Sequence, residues 1–98
     1  MFSRDSRKRT TRFALEAGYS AGQVAVAGEF SGWEPLPMNR QGASLYVRDV
    51  PTSERTFEYK FLVDGLWMTD PDNPNTVPNS FGTFNSVAPR QDDAVLRR

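Results

Sequence analysis

The chain carries two tryptophans, Trp33 and Trp67, each set beside turn residues rather than inside a long apolar run. Gly32, Pro35 and Pro37 crowd the segment SGWEPLP so densely that no regular element continues through it, which places Trp33 in a loop. Trp67 follows an Asp64-Gly65 pair. An indole at either place can plug one end of a core or present a flat face to a ligand. The ligand such faces suit is a sugar, whose ring has an apolar side of C–H groups and a rim of hydroxyls. If each stack hides about 80 Å² of apolar surface at about 25 cal/mol per Å², it contributes about 2 kcal/mol before ordering costs. Two such stacks imply micromolar to millimolar binding, which a polymer raises through avidity if several copies are assembled.

A sugar site also needs polar groups to orient the hydroxyls. Lys60 lies on the face of TFEYKFLV opposite Phe57, Tyr59 and Phe61, where its ammonium can meet ligand hydroxyls or simply water. Thr83 and Asn85 share one face of TFNSVAP and offer a hydroxyl and an amide, groups that near turns also satisfy the backbone. Glu29, Asp64, Asp70 and Asp72 are the carboxylates near turns. A glycosidase needs one carboxyl of raised pKa held across a defined gap from another in a cleft. The DPDN run lacks the spacing and closing glutamate of an EF-hand loop. Turn capping is the better account of these residues. The chain has no histidine and no cysteine, which removes the usual neutral-pH general base, thiol catalysis, and imidazole and thiolate metal sites. No catalytic residue, metal ligand or cofactor is therefore assigned.

A chain of 98 residues fits one domain. Twelve Lys and Arg balance twelve Asp and Glu, so no long-range field draws the whole molecule to nucleic acid or to an anionic membrane. The opening segment MFSRDSRKRTTRF holds Arg4, Arg7, Lys8, Arg9 and Arg12 but lacks the interleaved aromatics that stack on bases. It has no apolar stretch like that of a secretory signal, and no run in the chain approaches the ~20 apolar residues that cross a bilayer. A cytoplasmic protein is expected, with neither nucleic acid nor membrane as partner.

The elements that must position these residues are strands. Thr11, Phe13 and Leu15 alternate with Thr10, Arg12 and Ala14; in QVAVAGEF, Val24, Val26 and Phe30 share a face. SLYVRDV alternates with Leu45 and Val47 on one side, and Pro51 ends it. The clearest strand is TFEYKFLV, residues 56–63, followed by an Asp64-Gly65 hairpin turn and a return strand beginning at Leu66, Trp67 and Met68. Residues 70–82 read as a long loop and 83–89 as a last strand. No helical apolar stripe of useful length occurs. The pattern predicts an all-β, immunoglobulin-like antiparallel β-sandwich. Its expected core is Phe13, Leu15, Val24, Val26, Leu45, Val47, Phe57, Tyr59, Phe61 and Val63. Residues 1–8 are expected as a flexible basic arm, 9–90 as the sandwich and 91–98 as a tail.

VAVAGEFSGW, then FEYKFLVDGLWMTDPDNP, then FGTFNS, occur in an order that resembles the glycogen-binding domain of the AMP-activated protein kinase beta subunit. That domain belongs to carbohydrate-binding module family forty-eight, with the N-terminal early set domains of isoamylases and branching enzymes. The resemblance covers roughly residues 9 to 90 and implies α-glucan binding by Trp33 and Trp67, with Lys60, Thr83 and Asn85 supporting them. It also matches Phe81 to an apolar wedge that is leucine in the kinase domain. The loop here is one residue longer between Pro74 and Phe81.

Three functional readings follow. The first is non-catalytic binding of glycogen, starch or maltooligosaccharide, for targeting or regulation. The second is a protein-interaction or regulatory sandwich with vestigial sugar binding, docking a partner of glucan metabolism through an edge strand or the basic arm. The third, a glucan-active enzyme, lacks an evident catalytic pair.

Overall fold

The computed structural model describes residues 1–18, 21–53 and 55–90. Among the described residues ten strands run in chain order: β1 Phe2–Asp5, β2 Thr10–Glu16, β3 Val24–Gly28, β4 Leu36–Pro37, β5 Asn39–Gln41, β6 Leu45–Pro51, β7 Phe57–Val63, β8 Leu66–Met68, β9 Thr76–Pro78 and β10 Phe84–Ala88. A 3-10 turn, Glu29–Ser31, follows β3. The smaller sheet has the order β1-β2-β6-β5; the larger has β4-β3-β7-β10-β9, with β8 pairing to β7. Every pairing is antiparallel, and the chain is an all-β sandwich.

The sheets meet over aromatic side chains. Period-two alternation in β7 sends Phe57, Tyr59 and Phe61 inward, where all are buried. Phe13 of β2 packs on Tyr59 at 5.0 Å between ring centroids and on Phe30 of the 3-10 turn at 5.2 Å. Phe30 in turn meets Phe57 edge-on at 5.4 Å. Such pairs add about 0.5–1.5 kcal/mol each beyond their area. The prolines of β4 and β9 occupy the two outer strands of the larger sheet, where a missing N–H costs least and blocks further pairing.

Several expectations are corrected. Residues 1–8 do not form a flexible arm throughout: Phe2–Asp5 is β1, paired with β2 from Phe2↔Phe13 to Asp5↔Thr10. The apolar content looked too small to hold it, but Phe2 packs edge-on to Tyr59 at 6.0 Å and the Arg4 guanidinium lies 4.8 Å from the Phe57 ring centre. Leu45 and Val47 are not core residues. In β6 the inward side chains are Tyr46 and Val50, because the register sets Leu15 opposite Tyr46 and Thr11 opposite Val50, and directly opposed residues share a face. The strand expected to reach Phe30 stops at Gly28, yet Phe30 still reaches the core from the 3-10 turn. The loop 70–82 contains β9. The tail expected at 91–98 lies outside the described residues.

Candidate functional site

The outward face of the larger sheet is built by period-two alternation. Opposed pairs place Ala25, Leu62 and Trp67 in one row across β3, β7 and β8. Ala27 and Lys60 make the next row, and Glu58 with Val87 a third. Rows on one face are two residues apart, so Leu62 to Glu58 spans roughly 13 Å. Asn85 stands on the same side of β10, opposite Val77 of β9.

Trp67 is 47% exposed on this face, reached through the hairpin turn whose Asp64 (φ 49°) and Gly65 (φ 84°) both take the left-handed conformation. Trp33 is 36% exposed and itself has φ 65°, unusual for a bulky residue and often a mark of function. Its N–H donates to the Gly28 carbonyl at 2.9 Å. Gly28 makes this turn possible: a Cβ there would stand 2.5 Å from the Glu58 carbonyl oxygen and 2.6 Å from the Phe30 ring. Ser31 holds the turn closed, its hydroxyl donating to the Glu34 carbonyl at 2.8 Å.

Lys60 is nearly buried rather than freely solvated, and its ammonium donates to Thr83 Oγ1 at 3.2 Å. Asn79 Nδ2 donates to Thr83 Oγ1 at 2.8 Å and to Asn85 Oδ1 at 2.9 Å. Asn85 Nδ2 donates to Glu58 Oε1 at 2.9 Å. Lys60, Thr83 and Asn85 are thus brought into one hydrogen-bonded strip, joined by Asn79 and ended by Glu58. Trp67 shares its sheet face, while Trp33 and Phe81 sit in separate loops outside the hydrogen-bonded set. Phe81 is 88% exposed at the tip of the loop leading into β10.

Sequence reasoning missed Asn79 and Glu58. Glu58 carried a signal, since it alternates with Lys60 on the outward side of β7. Asn79 carried a weaker one, an asparagine two residues before the tip, the kind of residue that bonds backbone two positions on.

The carboxylates serve the fold. Asp64 Oδ1 accepts from the N–H groups of Gly22 at 2.9 Å and Gln23 at 2.8 Å, and Glu29 Oε1 from that of Glu58 at 2.8 Å. Asp70 is buried and accepts from the Tyr59 hydroxyl at 2.6 Å, from the Asp72 N–H at 2.9 Å and from the Met1 amine at 2.6 Å. Burial, and then the bond to Asp70, push the Tyr59 phenol far above its ordinary pKa. On the smaller sheet, the outward face carries the exposed pair Arg12 and Asp49, in which the side-chain hydrogen bond raises the pKa of Arg12 and lowers that of Asp49. A groove of 560 Å³, lined in part by Arg9, Glu29, Phe30, Pro51 and Arg55, includes none of the six candidate residues. The outward face of the larger sheet, and not this groove, holds Trp67 and the hydrogen-bonded strip of Lys60, Thr83, Asn79, Asn85 and Glu58.

The family model for the glycogen recognition site of AMP-activated protein kinase matches residues 11–94. The chain belongs to this family. As a member of the glycogen-recognition family it is 38% identical over 66 residues to the beta-1 subunits of 5'-AMP-activated protein kinase from Sus scrofa and Rattus norvegicus. To the beta-2 subunit from Mus musculus it is 33% identical over 67 residues. Each match covers 66% of this chain, but 52% of the pig sequence, 23% of the rat sequence and 24% of the mouse sequence. The chain therefore spans about half, or less, of these curated relatives. The glycogen-recognition match begins within β2, so β1 lies before it.

Proposed function

We propose that this domain binds α-glucans without catalysis, on the outward face of its larger sheet. The observation that carries the reading is the hydrogen-bonded strip of Lys60, Thr83, Asn79, Asn85 and Glu58 beside a half-exposed Trp67 on one flat face. In this reading Trp67 and Trp33 stack on glucose units, Lys60 and Asn85 bond hydroxyls, and Phe81 and Thr83 hold the chain from the loop. Binding of glycogen, starch or maltooligosaccharide then serves to target or regulate a larger assembly. The kinase-subunit names of the relatives support a protein partner in glucan metabolism. The absence of cysteine fits a cytoplasmic setting. The antiparallel two-sheet arrangement fits the immunoglobulin-like kind of sandwich.

Native electrophoresis in gels containing glycogen, with calorimetric titration of maltoheptaose, tests the reading. The wild type is retarded by glycogen, and Trp67→Ala binds maltoheptaose about 30-fold more weakly, which corresponds to loss of one stack of about 2 kcal/mol. Unchanged mobility of the wild type, with no heat on titration, removes the proposal.

A further inference from the structure

Among the described residues the tip 79–83 is organised by one side chain. Asn79 Oδ1 accepts from the N–H groups of Phe81 at 2.9 Å and Thr83 at 3.1 Å, and from the Thr83 hydroxyl at 3.1 Å. The backbone closes the same turn, with the Asn79 N–H donating to the Thr83 carbonyl at 2.9 Å and Gly82 at φ 83°. The other end of the amide also reaches beyond the tip: Nδ2 donates to Asn85 Oδ1 as well as to Thr83 Oγ1. One amide therefore has two separable jobs, an acceptor that caps the tip and a donor that reaches the sheet face.

We propose that Asn79 is a positioning residue for glucan recognition: its Nδ2 sets the orientation of the Asn85 amide. The inference rests on the sugar-binding reading above and deepens it. An Asn amide can be turned end for end with little change of shape, and only its partners decide which end faces where. At Asn85 both ends are specified. Its oxygen faces the Asn79 donor and its nitrogen faces the Glu58 carboxylate, so the flipped form would set donor against donor and oxygen against carboxylate. The orientation leaves the second N–H of Asn85 and the two remaining protons of Lys60 to meet sugar hydroxyls. Recognition groups held in place before binding avoid the ordering cost that weakens polar contacts.

The test separates the two jobs. Asn79→Asp keeps oxygens to accept from Phe81 and Thr83 but has no donor for Asn85 Oδ1, and sets a carboxylate against it. The expected result is a melting temperature close to that of the wild type, with maltoheptaose bound about fivefold more weakly, in keeping with the net worth of about one hydrogen bond lost in orientation. In an Asn85→Ala background the same substitution has little further effect on affinity, because the group through which it acts is gone. Equal affinity of Asn79→Asp and wild type, or full additivity in the double variant, overturns the inference. Should Asn79→Asp melt early, Asn79→Ser, with a hydroxyl to cap the tip and too short to reach Asn85, bears the same comparison.

A readout without ligand distinguishes failure of this inference from failure of the sugar site. In ¹⁵N-resolved spectra of the free protein, the Asn85 side-chain NH2 is protected by Glu58 in the wild type and shifts in Asn79→Asp. An unchanged Asn85 NH2 signal overturns the positioning role whatever the wild type does with maltoheptaose. A wild type that fails to bind maltoheptaose, with the Asn85 signal shifted as expected, overturns the sugar reading and leaves the orienting role of Asn79 supported.

Discussion

The strand pair β7 and β10 carries a hydrogen-bonded network on each of its faces, and the two differ in what they leave unused. On the inner face Tyr59, Asp70, Asn73 and Ser86 form a buried set: the Tyr59 hydroxyl donates to Asp70, Asn73 Nδ2 donates to Tyr59 and to the Val87 carbonyl, and the Asp70 N–H donates to Ser86. Among the described residues no buried side-chain nitrogen or oxygen lacks a partner. On the outer face Lys60, Thr83, Asn79, Asn85 and Glu58 are also linked, but the ammonium and the carboxylate at the two ends keep spare donors and acceptors. The connections on either side of β9 feed the two networks, with Asp70 and Asn73 before it on the inside and Asn79 and Thr83 after it on the outside. Closed hydrogen-bond inventories stabilise a fold, whereas open ones at a surface are available to a ligand.

Three substitutions sharpen or break this contrast, from the largest effect to the smallest. Asp70→Ala removes the acceptor at the centre of the inner network and strands the Tyr59 hydroxyl. Urea unfolding is expected to show a loss of about 3 kcal/mol, in the range for breaking a buried charged network. The folded fraction should still bind maltoheptaose; loss of affinity with stability intact would merge the two networks into one.

Tyr59→Phe probes the inner network by pH. The folded-state pKa of Tyr59 is raised, so its contribution is fully present below the unfolded tyrosine pKa of about 10 and is lost as pH rises beyond it. Wild-type stability is therefore expected to decline above pH of about 10, and the decline to be flatter in Tyr59→Phe, which has no phenol to ionise there. Below that pH the variant is less stable by about 1 kcal/mol, the usual net worth of one hydrogen bond. Parallel pH profiles for the two proteins would contradict the burial argument. The smallest effect on stability belongs to Phe81→Ala, within about 0.5 kcal/mol because the ring is exposed. Its maltoheptaose affinity is expected to fall about threefold, a shortfall of under ~1 kcal/mol. A clear loss of stability would place the ring in the fold and not in the site.

The outer network was only partly legible in the sequence. Lys60 and Asn85 stand out by alternation, and the Trp67 position by the Asp64-Gly65 turn, because strand period and positive φ are local properties of the chain. Asn79 and Glu58 join them through contacts across 6 and 27 residues, which no local pattern reports. Of the inner network, the sequence points to turn capping for Asp70 alone, and Asp70 and Asn73 both do bond backbone N–H groups two residues on. Their bonds to Tyr59 were hidden, since these depend on how the loop lies over the sheet.

Taken alone, the sequence determined the antiparallel two-face character of β2, β3 and β7, the hairpin at Asp64 and Gly65, and the motif order that marks the family. These follow from side-chain period, backbone stereochemistry and residue identity, all settled within a few residues. Tertiary structure decided the phase of β6, the docking of β1 on Tyr59 and Phe57, and the gathering of Asn79, Asn85 and Glu58. Each of these depends on register and packing between segments far apart in the chain, where a shift of one residue turns every side chain to the opposite face.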